Sequence, residues 1–166
     1  MIYRILLIYC LTIFAFTQCG KKDSHADIST NDDISELDTS ALSLAAEVYR
    51  KKNDFAEAVE NYSRLIDIDS TNKVYYYRRA LSYSSLGNVD LAIKDCEKAK
   101  DLGFDEFKSR FLLGMLYYDL HANKDSIARA NLNRCLQLRP NSPKVLDRIK
   151  YMDKMDAALS PEKKKT

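Results

Sequence analysis

Catalysis needs convergent polar groups, and the residues able to supply them are few in this chain. The candidates for metal ligation or nucleophilic attack are two histidines, His25 and His121, and four cysteines, Cys10, Cys19, Cys96 and Cys135. Neither histidine has a Cys, a second His or a carboxylate at metal-ligand spacing. No Ser or Cys stands in a nucleophile motif. No glycine-rich loop is present to cradle a phosphate, since Gly87, Gly103 and Gly114 stand far apart. The many carboxylates fall at exposed helical spacings, the pattern of a solvated face. The sequence therefore predicts a binding module and not an enzyme, with no cofactor, no metal and no small-molecule substrate. Asn61-Tyr62-Ser63 has the form of a glycosylation acceptor, but Tyr62 falls on a helical column expected to be buried.

Cys19 is the one cysteine with a chemical context. Residues 1–19 read MIYRILLIYCLTIFAFTQC: a short start with Arg4, then an apolar run from Ile5 to Phe16 broken only by Thr12. Those 12 residues are the length of a signal-peptide centre. A membrane-crossing helix needs about 20. Cys19 sits where the run ends and polarity switches at Gly20-Lys21-Lys22-Asp23. The arrangement resembles the lipobox of bacterial lipoproteins, and the CGKKD sequel is similar to lipoproteins of the Bacteroidetes group. Thr17 fits the pattern; Phe16 and Gln18 depart from the usual Leu and small residue. The resemblance implies a signal peptide over 1–18, acylation of Cys19, and attachment to the outer membrane facing the periplasm. Several acyl chains would make the attachment lasting, because one chain binds only marginally. Cys10 would leave with the signal. Cys96 and Cys135 fall on apolar helical columns, where Cys acts as a small hydrophobe. An oxidising envelope would also permit a bridge between them, and the sequence leaves both alternatives open.

After Cys19, the acid-rich segment KKDSHADISTNDDISELD carries only scattered apolar residues. Such a segment buries too little surface to offset its chain entropy, so residues 19–38 are expected to form a disordered tether. Its reach would be about 25 Å.

The elements beyond the tether follow from a 34-residue period. Ala46, Ala80 and Gly114 are small residues at that spacing, and Tyr49, Tyr83 and Tyr117 are aromatic ones. Ala58 and Ala92 repeat, as do Leu65 and Ala99, and Ile68 and Leu102. The turn Asn53-Asp54-Phe55 recurs as Gly87-Asn88-Val89. Apolar spacings of three and four predict helices over Ser40–Lys52, Phe55–Asp67, Val74–Leu86 and Val89–Asp101. Small residues at repeated columns mark places where helices cross closely. From Tyr117 to Cys135 the spacing is two residues longer than in the preceding unit, which predicts a longer turn at LHANKDS. Asn141-Ser142-Pro143 opens a last helix with Val145, Leu146, Ile149, Met152 and Met155 on one face, and SPEKKKT is a basic tail.

The stretches NDFAEAVENYSRLIDIDSTN, SYSSLGNVDLAIKDCEKAKDLG and CLQLRPNSP resemble the tetratricopeptide repeat, with Pro140 at the family's helix-ending proline. The resemblance covers residues 39 to about 142. It implies an all-α, right-handed α-solenoid of three helix hairpins (about 39–72, 73–106 and 107–142) closed by a capping helix over 143–158, with the tail at 159–166.

In such a stack the first helix of each pair lines the concave side. Helix projection and the resemblance together select Ser43 and Glu47; Tyr77, Arg78, Leu81 and Ser84; and Lys108, Phe111, Met115 and Tyr118. A line of Tyr77, Phe111, Met115 and Tyr118 would make a docking surface, because desolvated aromatic and Met side chains dominate binding energy. Phe111 and Met115 also lie where the last helix would pack. Some members of the family hold a peptide's terminal carboxylate with Lys, Asn and Arg. Here only Lys108 and Arg78 fall at such positions, and Ser43, Glu47 and Leu112 replace the others, so the groove suits an apolar or aromatic segment flanked by charge.

The net charge of +2 gives no footing for nucleic acid. It conceals an asymmetry: Gly20–Asn72 holds 6 Lys/Arg against 12 Asp/Glu, and Lys73–Thr166 holds 19 against 12. The expected function is a membrane-anchored scaffold binding a protein or peptide in the groove. The alternative is a pilotin-like or chaperone-like accessory with a single client.

Overall fold

The computed structural model describes residues 30–120 and 125–159. The signal segment, Cys19, the tether up to residue 29, His121 and the tail from residue 160 lie outside the described residues. Among the described residues there are seven helices and no strand: α1 (Thr30–Lys51), α2 (Phe55–Ile68), α3 (Lys73–Ser85), α4 (Val89–Asp101), α5 (Glu106–Leu120), α6 (Asp125–Leu138) and α7 (Pro143–Leu159). Residues from Ser35 onward form one compact unit.

The helices of the second hairpin fall within a residue of expectation, and α4 matches it. The first helix differs, because α1 begins at Thr30 and takes in residues 30–38, which composition had assigned to the tether. Adding turns to a packed helix is cheap once a nucleus exists. Arg50 and Lys51 stand in the last turn, where basic residues suit the helix dipole.

The turns after α1, α3 and α4 close in the same way. Asn53, Gly87 and Gly103 follow α1, α3 and α4 in the left-handed region, with φ of 62°, 76° and 79°. The next residue returns its N–H to a carbonyl five residues back: Asp54 to Tyr49, Asn88 to Tyr83 and Phe104 to Ala99, each at 2.9 Å. This closure satisfies carbonyls that a helix end leaves open, and it needs a residue tolerant of positive φ. Asp54 and Asn72 then cap the next helix by accepting from the backbone N–H of Glu57 and Val74.

The repeated small residues are the crossings. Ala46, Ala58, Ala80, Ala92 and Ala99 are fully buried. Ala46 and Ala58 pack with Tyr62 and Leu65; Ala80 and Ala92 pack with Cys96, Leu113 and Leu116. Tyr62 is itself fully buried, so the glycosylation reading of its triplet has no support in the fold, and Asn61 donates to the Glu57 carbonyl. The last cluster joins Phe107, Leu132 and Cys135 to Val145 and Met152 of α7. α7 therefore covers the third hairpin as expected, although Leu146 is exposed and not on the covering face.

Cys96 and Cys135 are both buried and free. Each thiol donates to a carbonyl of α5, Cys96 to Ser109 and Cys135 to Phe107, both at 3.5 Å. The hairpins are also tied by Arg79, which donates to both Asp95 oxygens at 2.7 and 2.9 Å and to the Ser63 hydroxyl at 2.9 Å. Three helices meet at that guanidinium, which also lies over the rings of Tyr76 and Tyr83.

Candidate functional site

The inward side chains of α3 and α5 line two adjoining hollows that share Arg50, Tyr77 and Leu81. One, of about 420 Å³, has Tyr77, Leu81 and Ser84 from α3 and Phe111, Leu112 and Met115 from α5. Phe55 lies on its α2 side and Lys144 on its α7 side. The other, of about 520 Å³, extends to Glu47, Val74, Arg78, Phe104 and Lys108. A third, of about 470 Å³, lies beside α1 and includes Ser43, Glu47 and Tyr75. Nine of the ten sequence-selected residues line these hollows: Glu47, Tyr77, Arg78, Leu81, Ser84, Lys108, Phe111 and Met115 in the two that adjoin, and Ser43 in the third.

Tyr118 is the exception. Its ring meets Tyr151 of α7 edge-on at 6.2 Å, and Arg148 lies over it at 5.1 Å. It follows Phe111 by two helical turns and shares its face, but α7 covers that end of α5. Phe111 serves in both settings. It stacks on Phe107 at 6.5 Å within the α7 cluster and also lines the groove.

Among the lining residues that sequence reasoning missed are Phe104, Arg50 and Lys144. Phe104 reaches the groove from the turn after Gly103 and stacks on Tyr77 with centroids 4.3 Å apart. Arg50 sits one turn beyond Glu47, and Lys144 is in the first turn of α7. The signal available was the period itself: α7 occupies the place of a next first helix, so its early residues should face inward too. Burial, helped by the Cys96 and Asp105 charges, pushes the Tyr77 hydroxyl up to about 12, so it is a neutral donor at physiological pH.

The end of the groove nearest α1 is electrostatically closed. Glu47 forms ion pairs with Arg78 and with Arg50, the latter at 3.1 Å, and accepts from the Tyr62 hydroxyl. Burial raises the Tyr62 pKa, which keeps that hydroxyl a donor. A carboxylate held by two guanidiniums and a phenol has little capacity left for a ligand cation. No group of three or more His, Cys, Asp or Glu able to hold a metal occurs among the described residues.

The fold and groove define a class: a helical-hairpin solenoid with an open concave binding surface. Comparisons with known proteins then give its repeats a name. The family model described as "TPR repeat" matches residues 46–87, and that described as "Tetratricopeptide repeat" matches residues 74–102. The chain carries tetratricopeptide repeats arranged as the solenoid those repeats form. It is 29% identical over 105 residues to the small glutamine-rich tetratricopeptide repeat-containing protein 2 of Saccharomyces cerevisiae, covering 61% of this chain and 30% of that protein. Over 61 residues it is 38% identical to the Hsp70-Hsp90 organizing protein 3 of Arabidopsis thaliana, covering 37% of this chain and 11% of that one. The chain thus spans less than a third of either relative. Among solved structures, the first TPR of Spaghetti (RPAP3), bound to the HSP90 peptide SRMEEVD, is 25% identical with a TM-score of 0.63, covering 72% of this chain and 95% of that one.

Proposed function

We propose that this chain is a lipid-anchored envelope scaffold that binds an extended protein segment in its concave groove. The observation that carries the binding half is the continuity of the groove. Half-buried Tyr77, Leu81, Phe111 and Met115 line connected hollows open to solvent, with charged side chains around them. Such a surface gives apolar anchors for affinity and a polar rim for register. Similar repeats in solved structures hold peptides, which favours the same use here.

The anchoring half rests on the apolar run Ile5–Phe16, the polarity switch at Gly20 and the cysteine between them. Attachment through the Cys19 thiol is the reading proposed, since the cysteine stands where that run ends. A scaffold would hold several partners in stable complexes; a pilotin-like accessory would bind one client reversibly.

One experiment addresses both halves. Tagged protein is recovered from its native envelope in mild detergent, with Leu81→Asp and Cys19→Ser variants alongside. The expected result is a diacyl or triacyl mass on wild type that Cys19→Ser lacks, and a partner set that Leu81→Asp loses while its circular dichroism stays helical. An unmodified mass on wild type overturns the anchor, and an unchanged partner set in Leu81→Asp overturns the groove.

A further inference from the structure

The opposed charge of the two halves of the chain plays no part in the groove reading. Within the compact unit, Ser35–Asn72 holds 4 Lys/Arg against 8 Asp/Glu, and Lys73–Thr166 holds 19 against 12. The first hairpin is therefore acidic and the rest of the stack basic. A hairpin in a solenoid buries its faces on its neighbours, and the terminal faces of a stack that stays single are polar. Here they are not. On α1, Asp38, Ala41, Leu44 and Val48 fall three or four residues apart and all are exposed, Leu44 at 67%. On α7, Leu146 is 46% and Tyr151 45% exposed, with Lys150 and Lys154 on the same outer side.

The charges beside these apolar residues are uncommitted. Arg129 of α6 takes up Asp153 at 2.7 Å and Asp156 at 2.6 Å, which ties α7 down from its inner side. Lys150 and Lys154 then have no carboxylate within ion-pair distance among the described residues, and Asp38, Lys51 and Asp147 have no partner of opposite sign there. Both helices carry the acid before the base: Asp38 before Lys51 on α1, and Asp147 before Lys154 on α7. Laid antiparallel, the two faces set each acid beside a base. Laid parallel, they set like against like, which costs affinity. Pairing α1 with α1, or α7 with α7, would bring together halves of the same net sign.

We infer that copies of this chain associate head to tail, the outer face of α1 in one copy lying antiparallel on the outer face of α7 in the next. Leu44 and Val48 supply the apolar surface on one side, and Leu146 and Tyr151 on the other. The flanking charges fix direction and reject the like pairings. Such a contact is heterologous, so each copy keeps one unused face and association continues beyond a pair. One helix against one helix is a small interface, and the association is accordingly weak and dependent on concentration. It uses none of Tyr77, Leu81, Phe111 and Met115, so every copy in the assembly keeps its groove.

The test is cross-linking of the full chain in mild detergent by a short bismaleimide, with linked peptides read by mass spectrometry. Cysteines are placed at Ala41 and Ala157, exposed alanines whose replacement removes no packing, while Cys96 and Cys135 are buried. Mixing Ala41→Cys with Ala157→Cys should give a 41–157 link, and the double variant should give a ladder of multiples that fades with added salt. Asp38→Lys and Lys154→Asp should each cut the yield about fivefold, and both together in one chain should restore it. Leu81→Asp should leave the yield unchanged, so loss of groove binding and loss of association are read separately. Links of 41 to 41 or of 157 to 157 would show twofold pairing and overturn the inference. Absence of any 41–157 link as concentration is raised, with circular dichroism still helical, would overturn it equally.

Discussion

Gly114 tests whether the repeated small column is a steric requirement. A Cβ added there would lie 2.8 Å from Leu132 Cγ and 2.9 Å from its Cδ2, with the Ala128 carbonyl oxygen at 3.3 Å. Comfortable carbon contacts are about 3.5–4.0 Å, so the overlap is nearly an ångström. Leu132 is fully buried beside Cys135, Val145 and Met152, so it has nowhere to retreat. Overpacking of this kind costs about 1–3 kcal/mol. Replacing a helical glycine by alanine returns about 0.5–1 kcal/mol of backbone entropy. Gly114→Ala should therefore destabilise by about 1–2 kcal/mol, lowering Tm by several degrees.

The assay is a double-mutant cycle with Leu132→Ala, read by urea denaturation. Leu132→Ala alone should cost about 2–5 kcal/mol through the cavity it opens. In that background the added methyl has room, so Gly114→Ala should become stabilising by about 0.5–1 kcal/mol. Gly103→Ala is the contrast. Its Cβ would meet nothing within 4 Å, but its φ of +79° strains any side chain, so its cost of about 1 kcal/mol should be unchanged by Leu132→Ala. Additive behaviour of Gly114→Ala with Leu132→Ala would refute the crossing argument.

Asp95→Ala should cost about 3 kcal/mol by chemical denaturation, because it strands the Arg79 guanidinium between helices, whereas a paired Arg79→Met, Asp95→Leu replacement should recover most of that loss. Burial pushes the Cys96 thiol up to about 12 and that of Cys135 to about 11. The folded chain therefore holds these protons where the unfolded chain releases them, so stability should fall as pH rises past 9.0 toward 12, and Cys96→Ala should weaken that decline in a Tm-versus-pH series. For the same reason both thiols should resist aqueous alkylation until the protein is unfolded, which timed mass spectrometry would register.

The parts of the fold legible in sequence are those whose packing environment recurs in every period. Ala46 and Ala80 are small for the same reason, each facing the second helix of its own hairpin, so the constraint is written repeatedly in the chain. The turns are equally readable, because Asn53, Gly87 and Gly103 must each enter the left-handed region. The start of α1 was not legible, since residues 30–38 present no apolar stripe and periodicity has nothing to register. Most of the groove follows from helix projection, which places Tyr77, Leu81, Phe111 and Met115 inward. Phe104 and Lys144 reach it from a turn and from the final helix, and their arrival depends on how successive hairpins rotate against one another. Tyr118 shows the same limit in reverse: projection puts it with Phe111, and only the seat of α7 removes it from the groove.

The adjacent residues Arg78 and Arg79 show how one helix separates recognition from assembly. A turn of about 100° per residue sends their side chains to different faces of α3. Arg79 enters the space between α2, α3 and α4, where both Asp95 oxygens, a hydroxyl and two ring faces fix the guanidinium. Arg78 enters the groove and meets Glu47, a partner on α1 shared with Arg50 and Tyr62. The first arrangement engages the guanidinium at Nε and at both terminal nitrogens in a mostly buried site, so it fixes the hairpin stack. The second borders solvent, and what it controls is charge: Glu47 offsets one of the two guanidinium charges, Arg50 and Arg78, at the α1 end of the groove. The stack behind it needs no change for that charge to be altered.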